Sequence, residues 1–292
     1  MASDYSTWEE REVLGSGAGG TARLLRGPMG EMVVSKQVDI VGLPADEAAK
    51  VRQEIQILAS LQHASIVAYL GSFERPSKLS IVMEFADGGS LAEVLSAQTA
   101  RGAPFATETV CRWLTQLSSA LLHVHSRRVL HRDIKPENIF LSEAPMSARL
   151  GSAARDVKLG DFGISRVLSS KSNLAATVLG TPFYLSPELV WGKRYNEASD
   201  AWALGVVAFQ LMALRRPFEA PNLGALVLRI ANSAPSEDAL AALASSPHPQ
   251  PLQWIASADG ASRHSIERPS QSRRKRVAIS FAHRQRYEGL LH

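Results

Sequence analysis

Residues 131–138 read His-Arg-Asp-Ile-Lys-Pro-Glu-Asn. Eight positions thus hold two acids, Asp133 and Glu137, two cations, Arg132 and Lys135, the amide Asn138 and a proline that bars continuation of a helix. So dense a mixture is either a working site or the remnant of one, and the flanking sequence decides between them. Upstream, TETVCRWLTQLSSALLHVHS has helical apolar spacing; downstream, IFL and VKL read as two short strands separated by an unpatterned loop over 142–156. Asp161-Phe162-Gly163 follows the second strand.

Farther upstream the pattern changes. EREVLGSG and TARLLRG flank a glycine-rich turn, EMVVSKQVDI follows the turn signal Gly27-Pro28-Met29-Gly30, and KLSIVMEF is a further apolar run. These read as strands. One helix interrupts them, with Ala48, Val51, Ile55, Leu58 and Leu61 on one face and Asp46 as its expected cap. From Ser90 onward helical patterns dominate, so a small sheet-rich lobe precedes a larger helical one.

Gly15, Gly17 and Gly20 fit G-x-G-x-x-G, a spacing shared by two unrelated nucleotide sites. Asp39 lies where a dinucleotide fold wants its ribose acid, but a strand, a Pro/Gly turn and a second strand follow the glycines, so no helix N-terminus faces a pyrophosphate. A hairpin whose backbone N–H groups cover phosphates fits better. Lys36 on the next strand can reach those phosphates and needs an anion to hold it; Glu54 on the helix is the best candidate.

With HRDIKPEN, DFG and GTPFYLSPE in that order, the chain resembles a eukaryotic protein kinase over residues about 8 to 232. The resemblance implies an α+β, two-lobed protein kinase fold: a β-rich lobe with one main helix over 8–84, a mainly helical lobe over 85–232, and a divergent or incomplete segment over 233–292. It implies ATP and Mg2+ as cofactors. Asp133 would accept or orient the substrate hydroxyl proton, Lys135 would approach the γ-phosphate, and Asn138 and Asp161 would hold the metal. Thr181 would bond near Asp133 and Lys135, on the serine/threonine branch. Leu14 and the three glycines would border the nucleotide, Ala22, Val34 and Phe140 would sandwich the adenine, Met83 would line the back of its pocket, and the backbone of Glu84 and Ala86 would hold its edge. Leu58, Tyr69, His131 and Phe162 would stack in an assembled state. Arg132 before Asp133 resembles kinases switched on by a phosphate on the activation segment; Thr177 is its expected position, with Ser169, Ser170 and Ser172 as competitors.

Further words, KQVDI, IVMEFADGGSLAEVL, NIFL and RRPFEAPNLGALVLRI, are similar to those of the NIMA-related kinases. Glu137 departs from that group, which more often has a neutral residue there, and resembles the acid with which basic-directed kinases meet a substrate arginine. Ile164 after DFG implies threonine acceptors. The end of the chain departs further. Residues 232–267 show no sustained helical face, and Glu188 should pair with an arginine for which Arg268 is the candidate. A buried carboxylate left alone would cost about 3–5 kcal/mol.

The chain has 292 residues, is 45% hydrophobic and carries a net +4. Residues 261–292 hold eight Lys/Arg against two Glu, so the basicity belongs to the tail and nucleic acid is not the expected partner. Protein substrates are, with an upstream kinase or a second copy of the chain as activator. The single cysteine, Cys111, excludes an internal disulfide and reads as core packing. No basic-then-apolar leader and no apolar run of about 18 residues is present, which excludes a membrane span and favours the cytoplasm, with nucleus and cytoskeleton as alternatives. The competing function is a kinase-shaped scaffold that binds nucleotide or partner without catalysis.

Overall fold

The computed structural model describes residues 4–17, 20–39, 45–76, 78–142, 155–162 and 182–248. The first lobe is an antiparallel sheet of β1 (Glu9–Gly17), β2 (Gly20–Arg26), β3 (Met32–Asp39), β4 (Tyr69–Arg75) and β5 (Lys78–Glu84), in the order β1-β2-β3-β5-β4. β5 reads as a nearly continuous apolar run because it is covered on both faces. Leu79 and Ile81 pack with Ile55 and Leu58 of α1 (Ala45–Ser60), while Val82 packs on the outer face with Leu25, Val33, Tyr5 and Trp8. Asp46 is not the cap of α1 but its second residue; helix starts read from sequence carry that margin.

The second lobe contains α2 (Leu91–Arg101), α3 (Thr107–Ser126), the hairpin β6 (Ile139–Ser142) and β7 (Asp156–Leu159), and the helices α4 (Pro187–Val190), α5 (Glu197–Ala213), α6 (Leu223–Ala231) and α7 (Glu237–Ala244). Ser90 and Glu93 close a capping box on α2, and Gly102 ends it in the left-handed region. α3 buries Val110, Trp113, Leu114, Leu117, Leu121 and Val124 at three- and four-residue spacing against α5 and β7. α5 is buried on most sides, which makes it the spine of this lobe. Cys111 packs at the margin of the core, where burial pushes its thiol up.

In the segment after residue 232 the structure describes one short helix. α7 is capped by Ser236, whose hydroxyl accepts from the Ala239 N–H, and it buries Ala239 and Leu243 against the core beside α5. Eight residues with two buried positions are too few for periodicity to stand out. Glu188 is half-buried and accepts a hydrogen bond from Ser199 Oγ at 2.7 Å, so its carboxylate has a partner inside the lobe; Arg268 lies outside the described residues.

Candidate active site

The segment His131–Asn138 runs as irregular backbone from α3 into the turn Pro136–Asn138 that starts β6. Irregular backbone needs external acceptors for its N–H groups. Asp200, fully buried in the first turns of α5, supplies them. Its Oδ2 accepts from the His131 N–H at 2.9 Å, its Oδ1 accepts from the Arg132 N–H at 2.9 Å, His125 Nε2 lies 2.8 Å from Oδ2, and the Tyr195 hydroxyl donates to Oδ1. Burial alone would raise this carboxyl, but the hydrogen bond from His125 and the other donors outweigh it and hold Asp200 below the usual carboxylate range. Arg132 sits at φ +69° and Asp161 at φ +51°, both in the region non-glycine residues avoid. Such conformations persist only where surrounding bonds impose them.

His131 is 1% exposed; its Nε2 lies 2.9 Å from the Gly160 carbonyl and its Nδ1 accepts from the Asp133 N–H at 3.3 Å. That pattern assigns the neutral tautomer with hydrogen on Nε2. Burial pushes the imidazole's pKa down despite the nearby carboxylates. One histidine thereby joins the segment bearing Asp133 to the residue before Asp161.

Around Asp133 the charges converge. Asn138 Nδ2 donates to the Asp133 carbonyl and to its Oδ2, both at 2.8 Å, and Lys135 Nζ lies 2.9 Å from the same Oδ2. Lys36, 8% exposed on β3, donates to Asp161 Oδ1 across the cleft. The Gly160 N–H donates to the Asn138 carbonyl at 2.9 Å, so the backbones of Asn138 and Asp161 run side by side. Among the described residues no group of three or more His, Cys, Asp or Glu could hold an ion unaided. One carboxylate and one amide with room for phosphate and water is a donor set that suits magnesium, which keeps several non-protein ligands.

Above these groups the hairpin of β1 and β2 pairs Gly17 with Gly20 and Gly15 with Ala22. Gly20 has φ +104°, and a Cβ there would strike the Gln37 carbonyl. Leu14 is 45% exposed at this edge. Ala22 pairs with Lys36 and Val34 with Met83 in the sheet, which sets them along one path toward the cleft. Phe140 on β6 packs so closely on Gly160 that a Cβ there would lie 2.8 Å from its ring. The side chain of Glu84 is turned to Lys158 on β7, 2.9 Å away, and to the Ala68 N–H at 3.1 Å. Leu58, Tyr69, Met83 and Phe162 line one cavity with Lys36 and Asp161, and the His131 and Phe162 rings are 4.6 Å apart.

Lys36, Asp133, Lys135, Asn138 and Asp161 are thus brought together. The side chain of Glu54 and residues Thr177 and Thr181 lie outside the described residues. Sequence reasoning missed Asp200, Tyr195 and His125. The available signal was Asp200 itself, an acid opening the apolar run AWALGVVAFQLMA with no residue of opposite charge beside it.

The family model described as the protein kinase domain matches residues 8–268. The chain is 42% identical over 220 residues to human serine/threonine-protein kinase Nek5, covering 75% of this chain and 30% of that protein. It is 43% identical over 218 residues to mouse serine/threonine-protein kinase Nek1, covering 74% and 17%. Against Caenorhabditis elegans serine/threonine-protein kinase nekl-2 it is 37% identical over 234 residues, covering 77% and 63%. The chain therefore spans less than two thirds of these relatives. A crystal structure of Rad53 residues 1-466 in complex with AMP-PNP shares the fold, with a TM-score of 0.69, 22% identity and coverage of 94% of this chain and 65% of that one. The chain belongs to the protein kinase family and resembles its NIMA-related, or Nek, members.

Proposed function

We propose that this chain transfers the γ-phosphate of Mg-ATP to serine or threonine residues of protein substrates. The observation that carries the reading is the meeting of Asp133, Asn138 and Lys135 within 2.9 Å, opposite the Lys36–Asp161 pair that spans the cleft. Phosphoryl transfer asks a protein mainly for position and charge. Asp133 is held by two neighbours and can take the proton of an incoming hydroxyl. Lys36 and Lys135 place positive charge on either side of the polyphosphate, and Asn138 with Asp161 would hold magnesium, which supplies charge neutralisation when bound.

Relatives named as serine/threonine kinases support the acceptor class. Glu137, exposed one residue before Asn138, favours a basic substrate residue near the acceptor. Phosphorylation of Thr177, by an upstream kinase or a second copy, is the proposed activating event, with Arg132 among the groups that would receive the phosphate. No described helix is long and apolar enough to cross a membrane.

The test is transfer of labelled phosphate from Mg-ATP to a generic protein, comparing wild type with Asp133→Asn while both melt cooperatively. Label with wild type only, with Thr177 among the modified sites, is the expected result. Equal labelling by both proteins would overturn the reading.

A further inference from the structure

Besides Lys36 and Asp161, a second ion pair joins the lobes. Lys158 Nζ lies 2.9 Å from Glu84 Oε1 and 3.0 Å from its Oε2, with the lysine side chain 17% and the glutamate side chain 29% exposed. Glu84 is the last residue of β5, and Lys158 stands on β7 shortly before Asp161. The same carboxylate has a further donor, because its Oε2 accepts from the Ala68 N–H at 3.1 Å, while the Glu84 N–H donates to the Ala68 carbonyl at 2.9 Å. Main chain and side chain of Glu84 are thus both tied to the residue that leads into β4.

Lys158 is the cross-strand partner of Phe140 on β6. Paired residues of an antiparallel ladder point to one face, so the lysine rises beside the ring expected to lie against the adenine. Gly160, two residues on, shares that face and packs on the Phe140 ring. The hairpin is also bonded to the chain between α1 and β4: the Leu159 N–H donates to the Ser65 carbonyl and the Val67 N–H to the Leu159 carbonyl, both at 2.9 Å. Residues 65–68 therefore hold β7 through Leu159 and the end of β5 through Glu84, and the Glu84–Lys158 pair closes the ring between those two strands. In the proposed reaction the phosphates and magnesium claim Lys36 and Asp161. Neither Lys158 nor the side chain of Glu84 has such a task, and both oxygens of that carboxylate are already engaged.

We propose that Lys158 is a positioning residue for nucleotide binding, whose pair with Glu84 sets the end of β5 over the hairpin of β6 and β7 before the nucleotide arrives. The adenine is expected to meet the backbone of Glu84 on one side and Phe140 on the other, and these two groups belong to different lobes. A strut between Glu84 and the cross-strand partner of Phe140 fixes their separation directly. Without it the chain populates the aligned arrangement less, and every ligand that needs this alignment binds more weakly by the same factor, whatever phosphates it carries. Once nucleotide saturates the chain, the aligned state is restored and the chemical step proceeds as before. Lys36 acts differently, since its charge serves only a ligand that bears phosphate.

This inference deepens the kinase reading and rests on it for the place of the adenine. The experiment measures adenosine and ATP binding by calorimetry, together with KM for ATP and kcat, in wild type, Lys158→Met, Lys158→Arg, Glu84→Gln and the double variant Glu84→Gln with Lys158→Met, at a temperature where each chain is folded by its melting curve. Glu84→Gln keeps the size and an acceptor for the Ala68 N–H, so it carries the test even if Lys158→Met does not fold. Lys158→Met and Glu84→Gln should each weaken adenosine and ATP alike by roughly three- to tenfold, as a partly screened charge pair allows. KM for ATP should rise by the same factor with kcat within about twofold of wild type. The double variant should be no weaker than either single one, and Lys158→Arg should restore wild-type affinity. Lys36→Met, by contrast, should weaken ATP and leave adenosine unchanged. Wild-type adenosine affinity in Lys158→Met and Glu84→Gln, additive losses in the double variant, or a fall in kcat with unchanged KM overturns the proposal. Equal weakening of both ligands in the variants of a wild-type chain that transfers no phosphate would sink the kinase reading and keep the strut; phosphate transfer by wild type with adenosine affinity unaltered in the variants would do the reverse.

Discussion

Asp200 receives two donors on each carboxylate oxygen, and two of them are the amides of His131 and Arg132 that lead into Asp133. Replacing it by Asn keeps the size but turns an NH2 group toward donors. We expect Asp200→Asn to lower unfolding stability by about 3–5 kcal/mol, because buried donors lose their acceptor, read by urea denaturation. Turnover should fall more than substrate KM rises, since the change displaces Asp133 and not the substrate contacts. The sign with pH follows from its lowered pKa: the stabilisation is complete above the unfolded value of about 3.9 and lost as pH falls through the folded value. At the same scale, Lys36→Met removes the cation facing Asp161, and a loss of at least about 100-fold in phosphate transfer is expected. A Lys36→Met chain that transfers phosphate at the wild-type rate would refute the role given to that pair. Lys36, Asp133 and Asn138 were legible because their order along the chain is itself informative. Asp200 was not, because its partners come from α3 and from backbone amides about 70 residues away.

The elements divide along the same line. Strands β1 to β5 were readable from β-branched runs bounded by glycine and proline, and α3 from its stripe of buried residues. The short helix α7 was not, because Pro235 and a run of alanines hide two buried positions. Its weight in the fold is nevertheless testable: Leu243, 4% exposed, should cost about 2–4 kcal/mol when changed to Ala, seen as a lower midpoint with an unchanged denaturant slope. Between α2 and β6 the constraint is space. A Cβ at Gly88 would meet the Leu141 carbonyl oxygen at 2.6 Å and its carbon at 2.8 Å, where the Gly88 N–H and the Leu141 carbonyl now bond at 2.8 Å. Gly88→Ala should push β6 away and destabilise the chain by about 1–3 kcal/mol. Because β6 carries Phe140, the same variant should weaken nucleotide binding measured by calorimetry.

Over the whole molecule, His63, His123, His131 and His248 all have imidazoles held below their ordinary value, in each case first by burial. The unfolded chain takes up protons at these residues near pH 6.5 where the folded one does not, so stability must fall as pH drops below that point. A thermal midpoint clearly lower at pH 5.5 than at pH 7.5 is expected, and a midpoint that rises would contradict the assignment of neutral rings. The two lobes were legible as a change from strand to helical patterning near residue 85, whereas the way they are joined depends on groups far apart in sequence: Glu84 to Lys158 and Lys36 to Asp161. The bonds of the catalytic segment to Asp200 on α5 have a further consequence for dynamics. The amides of His131 and Arg132 are tied to a carboxylate in the most buried helix and to nothing that a ligand touches. Their hydrogens should exchange with solvent only when the whole lobe unfolds, so that bound nucleotide slows them by no more than the factor by which it stabilises the whole chain, while amides of the glycine hairpin gain further, local protection.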